Sequence, residues 1–307
     1  MRWSGPWGIV GRVWPRHEQR GRPLNSVVRL HVAMSAEKTT FSQLFLKSAG
    51  RHFVTLSCIE TLEDASEKIL VFSGFVVEVA GEWFYVTAGH ILRDVRLATE
   101  AGAKFDVWRL DDQATGNSFR GAAVPLAFDI QRWLILCDDS IGLDYGVLHL
   151  DGLYRRQLEA GGVVAIAKGA WADYVDDHDH WALLGIPSES MAYEKGTLIH
   201  ARIVVVPLEP CDEPAAAGEK ADNQFFSRFK DDPKGIVTNV DGMSGGPIFA
   251  LKKIEGEWKY SVIGVQSAFY DRSRILGACP FPSLGRALEE IVGPIVKQFR
   301  GAESHAT

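Results

Sequence analysis

Gly242-Met243-Ser244-Gly245-Gly246-Pro247 is the stretch on which the reading of this 307-residue chain turns. A nucleophilic serine needs an exposed hydroxyl on a tight turn, backbone N–H groups converging on the oxyanion that forms, and a base within hydrogen-bond reach. Glycines on both sides of Ser244 supply unusual backbone angles and remove side chains that would block a substrate. The hexapeptide alone does not separate a nucleophile from a serine in an ordinary β-turn.

Chain order narrows the choice. The same Gly-x-Ser-x-Gly spacing marks the nucleophile elbow of α/β-hydrolases, in which the acid and then the histidine follow the serine. Here the only histidine after Ser244 is His305, close to the end of the sequence. A base must therefore lie upstream. Val86-Thr87-Ala88-Gly89-His90 closes an apolar strand and sets a histidine just beyond it, ahead of the helical-looking Ile91-Leu92-Arg93-Asp94. Between His90 and Ser244, Asp144 opens the apolar strand Asp144-Tyr145-Gly146-Val147-Leu148-His149-Leu150. A carboxylate so placed can accept the Nδ1 proton of a histidine and stabilise the imidazolium. Asp129, Asp138 and Asp139 are nearby alternatives, and a histidine at a strand end also serves as a plain cap. Three motifs in the order His, Asp, Ser, 54 and 100 residues apart, are explained together only by a triad.

The surrounding pattern is of short strands separated by Gly, Pro, Asn and Asp. Strands are expected at 51–59, 70–79, 83–88, 105–110, 122–128, 133–137 and 145–150, with 80–82 as a hairpin turn. After a connector at 153–162, more follow at 163–167, 181–186, 198–206, 235–238, 246–250, 258–266 and 274–277. No alternation with long helices is present, so the class is all-β, of sandwich or barrel type. Leu284, Leu288, Ile291, Ile295 and Phe299 recur at helical spacing, predicting an amphipathic helix over 283–300. Residues 209–223, rich in Pro, Ala and charge, read as an exposed loop. The acidic stretch 172–180, with Asp173, Asp176, Asp177, His178, Asp179 and His180, reads as a solvated loop rather than a metal site. His149, inside a strand, reads as a packing residue.

Composition excludes several classes. The net charge of −6 argues against nucleic acid, and no apolar run approaches a membrane span of about 18 residues. Cys58, Cys137, Cys211 and Cys279 are scattered, with no paired spacing for zinc or redox work. Residues 1–33 hold six arginines against Glu18 alone and no secretory apolar core, so a disordered tail or upstream extension over 1–40 is expected. Few cysteines and no secretory signal together suggest a cytoplasmic setting.

The set TAGH, DYGVLHL and GMSGGP, running within 72–268, resembles the trypsin/chymotrypsin-like serine peptidase family, closer to its disulfide-free bacterial members than to the secreted digestive ones. The resemblance implies two antiparallel six-stranded β-barrels with a C-terminal helix. The N-terminal barrel would cover 41–152 with His90 and Asp144, the second 153–282 with Ser244, and the helix and tail 283–307. It implies an endopeptidase acting through an acyl-enzyme, His90 as general base, Asp144 as its orienter, Ser244 as nucleophile, and the N–H groups of Gly242 and Ser244 as oxyanion hole. Ser73-Gly74-Phe75 matches the family's strand ahead of the histidine, and Gly185-Ile186-Pro187 a motif of the second barrel. Val265, Gln266, Ser267 and Ala268 match the strand that pairs with an extended substrate. Met243 stands where many secreted members carry an activation-linked aspartate. No acid lies in 236–240, so a small or apolar P1 residue is expected. No cofactor or metal is implied. The partners implied are a polypeptide substrate and an activating protein; the alternatives are a latent or inactive peptide-binding module on the same fold, or an effector protease activated by a partner.

Overall fold

The computed structural model describes residues 41–62, 64–111, 123–188, 192–194, 198–200, 203–230, 240 and 242–304. The first half runs α1 (Phe41–Ala49), β1 (Thr55–Thr61), β2 (Glu67–Phe72), β3 (Phe75–Val79), β4 (Glu82–Thr87), α2 (Gly89–Glu100), β5 (Lys104–Asp111), β6 (Val124–Pro125), β7 (Trp133–Asp138) and β8 (Leu143–Leu150). The second runs α3 (Gly152–Ala160), β9 (His180–Gly185), the small ribbon β10 (Ala192–Glu194) and β11 (Leu198–His200), β12 (Val204–Pro210), β13 (Phe225–Phe229), β14 (Pro247–Ile254), β15 (Glu257–Tyr270), β16 (Ile275–Pro280) and α4 (Phe281–Ser304). The protein is mostly antiparallel β-sheet with a C-terminal helix.

Among the described residues only the second half closes. There β12-β13-β16-β15-β14-β9 form a six-stranded barrel. The first half, expected as a second closed barrel, is two four-stranded sheets, β2-β1-β5-β6 and β3-β4-β8-β7. Among the described residues no ladder joins them. The rim strand β6 is two residues long, and its Pro125 has no N–H to offer a ladder. The run 70–79, expected as one strand, breaks at Ser73-Gly74, so β2 pairs with β1 while β3 pairs with β4. Gly74 cannot carry a side chain there: a Cβ would lie 2.2 Å from the Tyr85 hydroxyl oxygen.

The β3-β4-β8-β7 sheet is the middle layer of the molecule. Trp83, Tyr85 and Leu148 face a core shared with β1 and β5, including Leu56 and Leu110. Phe84, Val86 and Val147 face a second core, shared with Leu184, Phe249 and Val265 of the barrel. Burial on both faces explains why Trp83–Ala88 reads as a continuous apolar run rather than an alternating one. The strand ends of this layer lie at the seam between the two halves, and the site is built there.

Three local departures from the sequence expectation have clear causes. The hairpin β3–β4 closes through Ala80-Gly81 alone, both at positive φ (54° and 88°). The connector 153–162 is the helix α3, whose first N–H groups are capped by the Asp151 carboxylate. The helix α4 begins at Phe281, ahead of the expected start. Its Phe281, Leu284 and Leu288 are buried, while Ile291 and Ile295 are 59% and 49% exposed, so docking is tightest over its first turns. Residues 235–238, expected as a strand, lie outside the described residues.

Candidate active site

His90 is held by a carboxylate that does two jobs. α2 begins at Gly89, and its first N–H groups have no intrahelical acceptors. Ala88, at the N-cap, has no side chain to offer them. Asp144, at the start of β8, supplies the cap across the sheet: its Oδ1 accepts the His90 N–H at 2.6 Å, and its Oδ2 lies 2.6 Å from His90 Nδ1. Backbone and ring of one histidine are thereby fixed by one carboxylate. Because Nδ1 faces an acceptor, the neutral ring carries its proton there and leaves Nε2 as the basic nitrogen.

Two motif glycines permit this approach. A Cβ on Gly89 would stand 2.8 Å from the Tyr145 carbonyl oxygen, and one on Gly146 would stand 2.6 Å from Leu92 Cδ1. The other acids weighed from sequence are occupied elsewhere. Asp129 accepts from Gln131 N–H, Asp138 from Ser140 N–H, and Asp139 pairs with Arg93 at 2.7 Å.

The pair is buried, and its electrostatics follow from that. Burial disfavours the imidazolium, but the adjacent Asp144 charge outweighs it, so His90 is held above its ordinary pKa. Burial likewise penalises the Asp144 carboxylate, and His90 together with the Ser267 hydroxyl outweighs that, holding it below the usual carboxylate range. The flanking thiols of Cys137 and Cys279 are pushed up to about 12, mainly by burial, with Asp144 adding to it. They are neutral thiols at physiological pH.

Ser244 sits on a turn clamped from three sides. Gly242 and Gly245 take φ values of +86° and +85°, which favour glycine. Met243 N–H donates to the Val240 carbonyl and Gly246 N–H to the Met243 carbonyl, both at 2.9 Å. β15 holds the turn through Gly245 N–H to the Gln266 carbonyl (2.8 Å) and Gln266 N–H to the Gly246 carbonyl (2.9 Å). The Ser73 hydroxyl donates to the Gly242 carbonyl at 2.8 Å and accepts the Ile186 N–H at 3.1 Å. A Cβ on Gly245 would lie 2.2 Å from Thr87 Oγ1 and 2.8 Å from the Ala88 nitrogen. The serine turn is therefore seated on the strand end that leads into His90.

Met243 is fully buried against Gly185, where a Cβ would come within 2.7 Å of Met243 Cε. An apolar plug anchors the turn at the position where many secreted members of the resembled family carry an aspartate, and it gives Gly185-Ile186-Pro187 a steric role.

The four residues matched to a substrate-pairing strand have separate places. Val265 is in the core, and the N–H and carbonyl of Gln266 are both spent on the serine turn. Ser267 lies at a register shift between Gln266 and Ala268, and its hydroxyl donates to Asp144 Oδ2 at 2.7 Å. Ala268 is half-buried on β15 beyond the shift. Sequence reading missed the contact of Ser267 with Asp144 and the clamp made by Ser73. The three-residue match Ser73-Gly74-Phe75 was the available signal for the second; nothing local signals the first. In the acidic loop, His178 Nε2 faces the Asp173 carbonyl and Asp177 pairs with Lys252. His149 stands beside Glu82 at the surface. Among the described residues no group of three or more His, Cys, Asp or Glu gathers as a cation site, and no helix is long and apolar enough to cross a membrane.

No family model and no curated protein sequence matches the chain. Among solved structures it is similar to the HtrA-type protease AlgW solved with a decapeptide, at 12% identity over 83% of this chain and 67% of that one, TM-score 0.45. It is also similar to the active form of the Rv3671c protease from M. tuberculosis (13% identity, 89% and 93% covered, TM-score 0.39). A third is the thermostable serine protease AL20 from an extremophilic microorganism (16% identity, 76% and 92% covered, TM-score 0.38).

Proposed function

We propose that this protein is a serine endopeptidase with Ser244 as nucleophile, His90 as general base and acid, and Asp144 as the group that orients and charges His90. The observation that carries the reading is the buried His90–Asp144 pair, with both Asp144 oxygens committed to His90, beside a glycine turn seated on the same strand end. A surface histidine needs no such arrangement.

In the proposed reaction Ser244 Oγ attacks the scissile carbonyl carbon as its proton passes to His90 Nε2. The carbonyl electrons move onto oxygen, which the N–H groups of Gly242 and Ser244 would receive. Collapse breaks the C–N bond, and His90 returns the proton to the departing amine. Water, deprotonated by His90, then attacks the acyl-enzyme, the ester C–O bond breaks, and His90 passes that proton to the departing Ser244 Oγ. Burial of the site strengthens each charge interaction relative to water. The polypeptide substrate would lie along β15 beyond Ser267, with a small or apolar P1 side chain.

The test is covalent labelling with a fluorophosphonate together with peptide-library cleavage. Label on Ser244 and cleavage by the wild type are expected, with both absent in Ser244→Ala and a loss on the order of 10⁶-fold in kcat for His90→Ala. Wild-type protein that takes no label and cleaves nothing overturns the reading.

A further inference from the structure

The loop at 209–223 has no role in the chemistry above, yet its end reaches the acid of the triad. The 3-10 turn Gly218–Asn223 lies against the turn that precedes Asp144. Asn223 Nδ2 donates to the Ile141 carbonyl at 2.8 Å, and Gly142, at φ +76°, approaches so closely that a Cβ would lie 2.5 Å from the Lys220 carbonyl oxygen. The next residue, Gln224, is buried. Its Nε2 donates to the Gly142 carbonyl at 3.2 Å and to Ser267 Oγ at 3.3 Å. Its Oε1 lies 3.5 Å from the Tyr270 hydroxyl and packs on Gly277, where a Cβ would come within 2.6 Å.

We propose that Gln224 is a positioning residue for the triad, setting the direction of the Ser267 hydroxyl and through it the state of Asp144. A primary amide nitrogen has two hydrogens and no acceptor, and both are placed here. Donation into Ser267 Oγ occupies a lone pair of that oxygen. The serine's own proton is then turned toward Asp144 Oδ2, 2.7 Å away. Asp144 Oδ2 thus shares its charge between Ser267 and His90 Nδ1. The same amide ties the barrel strand β13, which it immediately precedes, to the turn at Gly142, so the second half of the chain holds the acid that the first half contributes.

The inference rests on the triad reading, but its test does not need activity. The groups facing the pair are Asp94 and Arg93 on α2, Cys137 on β7, Tyr145 on β8 and Cys279 on β16; all stay unchanged in the variants. The His90 titration is followed by NMR on histidine-labelled full-length protein in wild type, Gln224→Met, Ser267→Ala and the double variant. Without the amide, Ser267 is free to turn away, Asp144 concentrates its charge on His90, and the His90 midpoint rises by about half a pH unit. The double variant is expected to titrate as Ser267→Ala alone does. At a fixed pH near 7, kcat/KM of Gln224→Met falls by up to about threefold, the most that a half-unit rise of the His90 midpoint removes from its neutral form, with KM little changed. An equal shift from Gln224→Met in the Ser267→Ala background, or no shift in either, overturns the proposal. Should Gln224→Met not fold, the side-chain amide resonances of Gln224 give the second reading: they follow the His90 titration in wild type and stay flat in Ser267→Ala. Wild-type protein that shows this coupling but no cleavage refutes the peptidase and leaves Gln224's role standing.

Discussion

At the scale of single residues, the unusual feature is how many demands meet at Asp144. It caps α2, binds the His90 ring and accepts the Ser267 hydroxyl. An amide at this position can still cap, but it presents a donor to Nδ1 or accepts through one oxygen only, and it carries no charge for the imidazolium. Asp144→Asn is expected to fold and to lose about 10⁴-fold in kcat, read by steady-state hydrolysis. The pH profile follows from the sign of the His90 shift. The proposed reaction needs neutral His90, and that residue is held above its ordinary value, so kcat/KM should rise with pH through a midpoint above 6.5. A rate–pH profile whose rising limb falls below that value contradicts the coupling. Gly245→Ala has no room at all, with the Ser73 carbonyl oxygen 2.4 Å from the new methyl and φ at +85°. It should destabilise the turn by several kcal/mol, visible in urea unfolding, and abolish labelling of Ser244 in what remains folded.

At the scale of elements, the hairpin β3–β4 delivers the strand that ends at the candidate active site, and its turn is not optimal. Both loop residues are left-handed, the pattern of a type I′ turn, in which Asn-Gly is preferred. Ala80 bears the steric cost of that conformation. Ala80→Asn should therefore raise stability by about 1 kcal/mol, measured as a shift in urea midpoint at constant slope. The contrast between the ends of α4 is also testable. Phe281 is fully buried between Phe75 and Trp171, and Phe281→Ala should cost about 3–5 kcal/mol, whereas Ile295→Ala, at an exposed position, should be close to neutral.

At the scale of the whole molecule, a second histidine ties distant segments together. His52 lies between the Val164 carbonyl, 2.5 Å from Nδ1, and the Tyr260 hydroxyl, 2.9 Å from Nε2. Burial is the main cause that lowers its pKa to about 4. In the folded chain the ring is neutral, while in the unfolded chain it takes a proton below about 6.5. Its contribution is therefore intact above 6.5 and is lost as pH falls toward 4, by up to about 3 kcal/mol. Asp144 acts in the same direction at lower pH, because its depressed pKa favours the fold only while it is ionised. His90 acts oppositely: its raised pKa stabilises the fold below 6.5 and the effect fades as pH rises through the folded value. Urea midpoints measured from pH 7 to 4 should fall, and the fall should be shallower in His52→Gln.

The His–Asp–Ser order, the apolar strands at 83–88 and 145–150 and the helix near the C-terminus were legible in the residues, because each is a local pattern whose neighbours along the chain carry the signal. What the sequence by itself determined is the set of motif residues and the all-β class, since periodicity and glycine placement follow from local backbone sterics. The closing of one half only, the meeting of Asp144 with both His90 and Ser267, and the reach of Gln224 across 43 residues to Ser267 were decided by the tertiary structure alone. Those contacts depend on which strand ends the packed layers bring together, and no spacing along the polymer encodes a distance in space.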